Sequence, residues 1–337
     1  MTKPQAGILL PPPPLARYLS FSLTPGVPAA DCLRALCRLA DGERTLVGVG
    51  RALVSALGAE IAGLRGFPTF AGPGLELPAT PAALWLWLRG DDRGEILHRA
   101  RHLEQALTPA FRLDDTRDAF LHAGGRDLSG YEDGTENPIA EEAVRTAIVG
   151  ADQPRLSGSS FVAVQRWTHD FAGFERMPAG ERDSVIGRRL ADNEEIDEAP
   201  ASSHVKRAAQ ESFTPAAFVL RRSMPWAEGG CGGLMFVAFG TSFDPFEAVL
   251  RRMLGIEDGI VDALFRFTRP ESGAYFWCPA ISEGPVASGT LMGGRRRSLG
   301  DRSGCPSTGT RYRADPGAGG PAGEGRSSGF GNPYFTR

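Results

Sequence analysis

Residues 83–88 read ALWLWL, and this run decides the fold class of the first half of the chain. A short run of leucine and tryptophan is typical of a buried β-strand. Asp92 and Glu95 follow at the spacing of a capping box, which predicts that a helix begins there. The apolar face expected for this helix carries four residues: Leu97, Ala100, Leu103 and Leu107. The segment is therefore predicted to be a strand followed by a helix.

The flanking segments extend this pattern in both directions. Residues 17–23 alternate apolar and polar side chains, which predicts a half-buried strand, and residues 31–40 show helical spacing. Residues 45–49 form a short apolar run, and residues 110–113 are predicted to be a returning strand. The order is β-α-β-β-α-β, which is the ferredoxin-like or split βαβ arrangement.

The second half of the chain repeats this order loosely. Asp244, Pro245 and Glu247 predict a helix start with an N-cap, an N1 proline and a capping-box acid. The predicted strands and helices are 161–167 (strand), 181–190 (helix), 217–221 (strand), 234–239 (strand), 246–254 (helix) and 274–278 (strand). We therefore expect an α+β fold of duplicated ferredoxin-like (split βαβ) modules with antiparallel sheets. The expected domains are residues 1–150, residues 151–283 and a tail of residues 284–337.

Charge and glycine content set the tail apart from the rest. The 337 residues carry a net charge of −3, which argues against a nucleic-acid binder. The last 49 residues hold eight arginines, three acidic residues and 13 of the 43 glycines, without a sustained apolar pattern. This composition predicts a disordered tail that the activity of the folded part would not need.

Cysteine usage and the N-terminus indicate the compartment. The five cysteines form no C-x-x-C pair, and residues 1–10 do not resemble a signal peptide. No apolar run reaches the 18 or so residues that a membrane helix needs. We expect a cytoplasmic protein without a membrane partner.

Two motifs resemble a zinc site and a dinucleotide-binding loop but lack features that such sites need. His98 and His102 have the i, i+4 spacing of zinc ligands, but two arginines lie between them, and a solvated helix face is the preferred interpretation. Residues 48–53 resemble a dinucleotide-binding loop without its third glycine. We expect neither a metal nor a dinucleotide at these places.

The most informative stretch is residues 130–138, GYEDGTENP. Its glycines predict a tight loop that holds the Asp133 carboxylate close to a ligand. A simple turn, or a cation site using Asp133, Glu136 and Asn137, is the alternative. The spacing does not match that of a calcium-binding EF-hand loop.

Two later segments add candidate residues. His204 lies in a region poor in other metal ligands, so it suits haem iron, where one axial histidine suffices, better than zinc. A purely structural histidine is the alternative. Arg221 and Ser223 lie at the end of a predicted strand and would share one of its faces, unless they form a solvated strand end.

Taken together, these motifs resemble those of the dye-decolourising (DyP-type) haem peroxidases, most closely the bacterial type B subgroup. Residues 130–138, 203–205 and 221–225 carry the resemblance. Similar residues follow in the same order along the chain from about Pro4 to Pro279. Two departures stand out. Glu132 replaces an apolar residue, and Ser223 replaces the asparagine that usually follows two residues after the arginine.

The resemblance implies one non-covalent haem b, with its iron, in the C-terminal module. His204 would be the iron ligand, and Asp133, Arg221 and Ser223 would act on peroxide from the opposite (distal) side. Asp262 is the candidate acid that accepts the second N–H of His204, with a helix-surface acid as the alternative. The implied activity is reduction of hydrogen peroxide coupled to single-electron oxidation of organic reductants such as dyes and phenolics.

Other functions and partners remain open at this stage. A haem carrier, or a porphyrin-modifying protein with incidental peroxidase activity, is the alternative function. We expect a homo-oligomer, and residues 298–300 (SLG) resemble peptides that direct some relatives into encapsulin shells. The aromatic candidates for relaying electrons, none of them assigned, are Trp85, Trp87, Trp167, Trp226, Trp277 and Tyr275.

Overall fold

The computed structural model describes residues 3–281 of the chain. The strands of this part are β1 Leu15–Leu23, β2 Thr45–Val49, β3 Phe70–Gly72, β4 Leu75–Leu77, β5 Leu84–Gly90, β6 Phe111–Phe120, β7 Ser160–His169, β8 Leu220–Arg221, β9 Met224–Glu228, β10 Cys231–Gly240, β11 Thr268–Pro270 and β12 Ala274–Cys278. The helices are α1 Ala30–Leu39, α2 Arg51–Ala56, α3 Arg93–Leu107, α4 Ala140–Ala147, α5 Phe171–Arg176, α6 Ala179–Ile186, α7 His204–Arg207 and α8 Asp244–Met253.

The first module has the predicted ferredoxin-like topology. Its strands lie in the order β6-β1-β5-β2, all antiparallel, with α1 between β1 and β2 and α3 between β5 and β6. Asp92 accepts a hydrogen bond from the Glu95 N–H at 2.7 Å, as the capping box predicts. The buried face of α3 is carried by Ile96, Ala100, Leu103 and Leu107. The prediction for Leu97 is wrong, because Leu97 is turned about 100° away from Ile96 and is exposed.

The second module repeats the order as β12-β7-β10-β8, again antiparallel. The predicted helix 181–190 ends earlier, because Gly187 takes a left-handed conformation (φ 92°) that terminates α6. At α8, Phe243 occupies the N-cap, and Asp244 is already helical instead of being the predicted cap. The predicted fold class is confirmed.

The two halves share one ten-stranded sheet through the pairing of Val49 in β2 with Trp277 in β12. One apolar core lies between the sheet and α1, α3 and α8, and a second core lies on the opposite face, where α4 packs. The dinucleotide-like glycines belong to this packing, because a Cβ on Gly50 would lie 1.9 Å from the Ala82 carbonyl oxygen.

The predicted boundary near residue 150 falls between α4 and β7 and stays a prediction. The predicted tail, residues 284–337, lies outside the described residues. Within residues 3–281, no helix combines the length and the apolar composition that crossing a bilayer requires.

Candidate active site

A deep cavity lies in the second module, between the sheet face of β7 and β10 and helix α8. Its empty volume is about 1030 Å³, part of it open to solvent. Leu234 and Phe236 from the sheet and Phe246, Leu250 and Met253 from α8 make its walls largely apolar. A flat, mostly apolar ligand with a few polar groups would suit such a cavity.

His204 lies on this cavity at the first position of the short helix α7. Its Nδ1 lies 2.8 Å from Oδ2 of Asp262, whose side chain is fully buried. The carboxylate fixes the imidazole tautomer by accepting the Nδ1 proton, which leaves Nε2 as a free electron-pair donor. Asp262 is thus no helix-surface acid.

Both members of this pair are held rigidly. The other oxygen of Asp262 accepts the Leu264 N–H at 2.8 Å. Arg207, at the end of α7, is buried and forms a bidentate ion pair with Asp258 at 2.7 and 2.9 Å. It also donates to the Arg252 carbonyl at the end of α8. Asp262 therefore orients the imidazole of His204, while the contacts of Arg207 anchor helix α7, which carries it.

Asp133 reaches the same cavity from the loop that was singled out in the sequence. Gly134 follows it with φ 78°, and a Cβ there would lie 2.8 Å from Nδ2 of Asn137. Glycine is thus required both for the backbone conformation and for the Asn137 amide beside it. The Asn137 amide pairs with the Arg221 backbone, and Glu136 pairs with Arg188, so two of the three oxygen donors of the alternative cation site have other partners.

Arg221, the last residue of β8, faces Asp133 across a gap of 3.6 Å between Nη1 and Oδ1. The two side chains are only 17% and 24% exposed, so they interact in a partly desolvated setting. The Nε atom of Arg221 is buried and has no hydrogen-bond partner among the described residues. The guanidinium therefore keeps donor capacity for a ligand in the cavity.

Ser223 does not join this group. It is not among the residues that line the cavity, and its hydroxyl oxygen accepts the Val237 N–H at 3.3 Å. Strand β8 ends at Arg221 and β9 begins at Met224, so the alternation that would place both residues on one face is broken between them. The structure thus corrects the expected position of Ser223.

A buried histidine–aspartate pair in the cavity wall was not predicted. His169 Nε2 lies 2.9 Å from Oδ1 of Asp127, and its Nδ1 lies 2.7 Å from Oγ1 of Thr268. The pKa of Asp127 lies below its usual range, because hydrogen bonds from His169 and the Ser129 N–H outweigh the burial that would raise it. For His169 alone, strand alternation was the available signal, since Gln165, Trp167 and His169 follow each other on the cavity face of β7.

The remaining sequence candidates lie away from the cavity, except one. His98 and His102 are exposed on α3, and residues 3–281 contain no cluster of three or more His, Cys, Asp or Glu side chains suited to a metal ion. Of the aromatic residues considered as electron relays, Trp167 alone is on the described cavity wall.

Comparisons with known proteins agree with the motif pattern. The family model described as "Dyp-type peroxidase, C-terminal" matches residues 124–283, which include every residue placed on the cavity above. A dye-decolorizing peroxidase of Mycobacterium tuberculosis is 31% identical over 224 residues, covering 65% of this chain and 67% of the relative.

Solved structures show the same fold. A variant of DypB from Rhodococcus jostii RHA1 in complex with haem matches with a TM-score of 0.74 and 26% identity, covering 81% of this chain and 94% of that one. An encapsulated DyP-type peroxidase from Mycobacterium smegmatis matches with a TM-score of 0.77 and 26% identity, covering 85% and 100%. The resemblance stated from the motifs is confirmed: the chain belongs to the family of dye-decolourising (DyP-type) peroxidases.

Proposed function

We propose that the protein is a haem-dependent peroxidase that reduces hydrogen peroxide and oxidises organic reductants by single electrons. The observation that carries this proposal is that two groups of side chains line one cavity. His204 offers a free Nε2 whose other ring nitrogen is held by Asp262, and Asp133 and Arg221 form a close charged pair on the same cavity.

The described residues fit a haem. The walls from β10 and α8 are apolar, as a porphyrin plane requires. Three buried donors on the cavity lining have no partner among the described residues: Arg221 Nε, Gln165 Nε2 and Trp167 Nε1. Since buried donors are normally hydrogen-bonded, they indicate a ligand with acceptor atoms. When bound, haem would supply an iron centre that accepts the electrons of organic reductants one at a time.

His204 and Asp262 would hold the cofactor from the α7 side. Nε2 of His204 is the iron ligand in this proposal. The Asp262 carboxylate keeps the Nδ1 proton and gives the ring partial imidazolate character, which makes Nε2 a stronger donor. Because Asp262 is buried and also bound to the Leu264 N–H, the carboxylate is held in position to accept the Nδ1 proton of His204.

Asp133 is the proton-transfer group in this proposal. Its carboxylate accepts a proton from one oxygen of hydrogen peroxide and returns it to the other oxygen, which then leaves as water. A positioned acid–base group of this kind contributes roughly 10²–10⁴-fold to a rate. The 3.6 Å gap to Arg221 leaves the carboxylate without a direct hydrogen bond to that side chain, so its oxygens stay available.

Arg221 stabilises the negative charge that develops on the peroxide. A guanidinium keeps its charge at every working pH, so it cannot itself relay the proton. Partial burial strengthens its effect, because fixed donors act more strongly where water is excluded. A haem carrier would need neither Asp133 nor Arg221, which favours the peroxidase over the carrier or porphyrin-modifying alternative.

The proposal is tested with haem-loaded protein, hydrogen peroxide and a bulky dye. We expect peroxide-dependent bleaching of the dye by the wild type. The double variant Asp133→Asn/Arg221→Leu should retain haem but lose this activity. Equal bleaching by both proteins would contradict the proposal, since haem alone would then account for the activity.

Location and assembly form a separate part of the proposal. We place the protein in the cytoplasm, which the free thiols of the described cysteines support, and we propose separately that it is a homo-oligomer. The encapsulated relative supports the further proposal that residues 298–300 bind the inner wall of an encapsulin shell. Co-expression with a shell protein tests this: deleting residues 284–337 should abolish loading and leave peroxidase activity intact.

A further inference from the structure

A second arginine, Arg222, directly follows Arg221 where strand β8 ends. It is only 8% exposed and, unlike Arg221, it does not line the cavity. Burial, together with the neighbouring charge of Arg89, lowers the pKa of Arg222 to about 10, so the group stays charged near neutral pH. Within residues 3–281 its guanidinium donates to carbonyl oxygens and to no carboxylate. A buried charge is costly unless it is well hydrogen-bonded, so these carbonyl contacts must offset that cost.

The guanidinium of Arg222 connects two backbone segments. Its Nε donates to the Ile8 carbonyl at 3.1 Å, and its Nη2 donates to the Leu9 carbonyl at 2.8 Å. Its Nη1 donates to the carbonyl of Arg221 at 3.0 Å. Because a planar guanidinium holds its donors in a rigid fork, these contacts fix the three carbonyls relative to one another.

The N-terminal segment, residues 5–11, is itself firmly attached. The side chain of buried Gln5 accepts the Val47 N–H at 2.8 Å and donates to the Val47 and Pro279 carbonyls at 2.9 and 3.1 Å. Val47 belongs to β2 of the first module, whereas Pro279 directly follows β12 of the second. The segment is therefore held by both modules close to the point where it contacts Arg222.

Strand β8 alone holds Arg221 weakly, because the strand is only two residues long. Arg221 pairs with Ala238 of β10 at the end of this short ladder. Its carbonyl accepts hydrogen bonds from two side chains, Nη1 of Arg222 and Nδ2 of Asn137. Since the side chain of Arg221 extends from this backbone, a shift of the backbone would move the guanidinium relative to Asp133.

We propose that Arg222 is a positioning residue for Arg221, through which the N-terminal segment fixes the guanidinium that faces Asp133. The inference rests on the proposed function, because the reaction that it affects is the reaction with hydrogen peroxide. Arg222 does not line the cavity, so it acts through the backbone of Arg221. A displacement of about 1 Å in a group that acts on a reacting atom can slow a reaction about 10²-fold.

Arg89 provides a matched control. It is 7% exposed, and burial lowers its pKa as well. Its guanidinium donates to the Gly7 and Pro11 carbonyls of the same N-terminal segment. Arg89→Met and Arg222→Met therefore each remove the donors of two carbonyls in this segment. Only Arg222→Met also removes a donor from the Arg221 carbonyl.

The test compares these two variants with wild type in the haem-loaded protein. Stopped-flow Soret absorbance measures the reaction with peroxide, and a denaturant titration measures stability. Arg222→Met should slow the reaction about 10- to 100-fold. Arg89→Met should lose similar stability but react at a rate close to that of wild type. Fluoride titration, followed by the Soret band without turnover, is the second readout: this anion should bind more weakly to Arg222→Met than to Arg89→Met.

A double-mutant cycle shows whether the effect passes through Arg221. In the Arg221→Leu background, Arg222→Met should cause little further slowing, because the group that it positions is gone. Arg222→Lys keeps the charge but not the fork, so it should restore only part of the rate. Should Arg222→Met fail to fold, Arg222→Gln, which keeps one amide donor, replaces it with the same expected ranking against Arg89→Met.

The outcomes separate this inference from the proposed function. No Soret change of the wild type with peroxide would refute the proposed function. A normal wild-type response would refute the positioning role alone in any of three cases: Arg222→Met reacts no more slowly than Arg89→Met, its full effect persists in the Arg221→Leu background, or Arg222→Lys restores the full rate.

Discussion

The side-chain amide of Asn137 pairs with the backbone of Arg221 in the manner of a neighbouring strand. Its Oδ1 accepts the Arg221 N–H at 2.8 Å, and its Nδ2 donates to the Arg221 carbonyl at 3.1 Å. This pair ties the loop that carries Asp133 to strand β8. The separation of Asp133 and Arg221 is therefore set by a third residue that does not line the cavity.

Asn137→Ala should impair the reaction with peroxide more than the retention of haem. The substitution leaves the Arg221 N–H unpaired, while the Arg221 carbonyl keeps its hydrogen bond from Arg222 Nη1, and this should cost about 1–3 kcal/mol in the free energy of unfolding. Rates of peroxide-dependent dye oxidation and a denaturant titration measure the two effects. A variant with wild-type activity would show that Asn137 does not position the pair.

Asp262→Asn should keep haem bound but raise the reduction potential of its iron. An amide cannot accept the Nδ1 proton as strongly as the carboxylate, so Nε2 of His204 becomes a weaker donor and the ferric state is stabilised less. Spectroelectrochemical titration of wild type and variant measures the change. A lower or unchanged potential would argue against the role proposed for Asp262.

The acid stability of the protein should depend on Asp127. Its pKa is lower in the folded state than in the unfolded chain, so the unfolded chain takes up the proton first as the pH falls. The stabilisation is complete above the ordinary aspartate pKa of about 4 and is lost as the pH falls through the folded value. In denaturant titrations at a series of pH values, Asp127→Asn should reduce this dependence without abolishing it, because the hydrogen bond from Arg17 also lowers the pKa of Asp118. Asp91→Asn, at an exposed position, should preserve it.

Arg221→Leu should slow the peroxide-dependent Soret change at least as much as Asp133→Asn. Arg221 is the one lysine or arginine on the described cavity wall, and the Ser223 hydroxyl is engaged with the Val237 N–H, so no second cation and no Ser223 donor takes its place. Stopped-flow absorbance with excess peroxide compares the two variants. A near-wild-type rate for Arg221→Leu would refute this ranking.

Local patterns were sufficient to predict the order of the ferredoxin-like strands. They failed where the position of a segment in the folded sheet decides how far a strand extends. Strand β6 continues to Phe120, well beyond the predicted 110–113, because a strand at the edge of the sheet tolerates the charged residues 114–118. The hairpin of β3 and β4 was not predicted, because it lies in a stretch of the sequence that is rich in proline and glycine.

The candidate site was predicted best where a motif carried the information. His204, Asp133 and Arg221 line one cavity, and Asp262 lies behind the histidine. Ser223 was misplaced because strand alternation does not continue across the break after Arg221. The Asp127–His169 contact joins residues 42 positions apart and needs the folded loop, so no spacing rule could show it.

Titration of haem into the haem-free wild type and the His204→Ala variant tests the central claim most directly. His102→Ala, which removes an exposed histidine on α3, is the matched control. We predict one haem per chain with a sharp Soret band for wild type and His102→Ala. For His204→Ala we predict greatly weakened binding and a shifted band, with circular dichroism unchanged. A His204→Ala protein that binds haem with wild-type affinity and an unchanged Soret band would contradict the assignment of the iron ligand and the mechanism built on it.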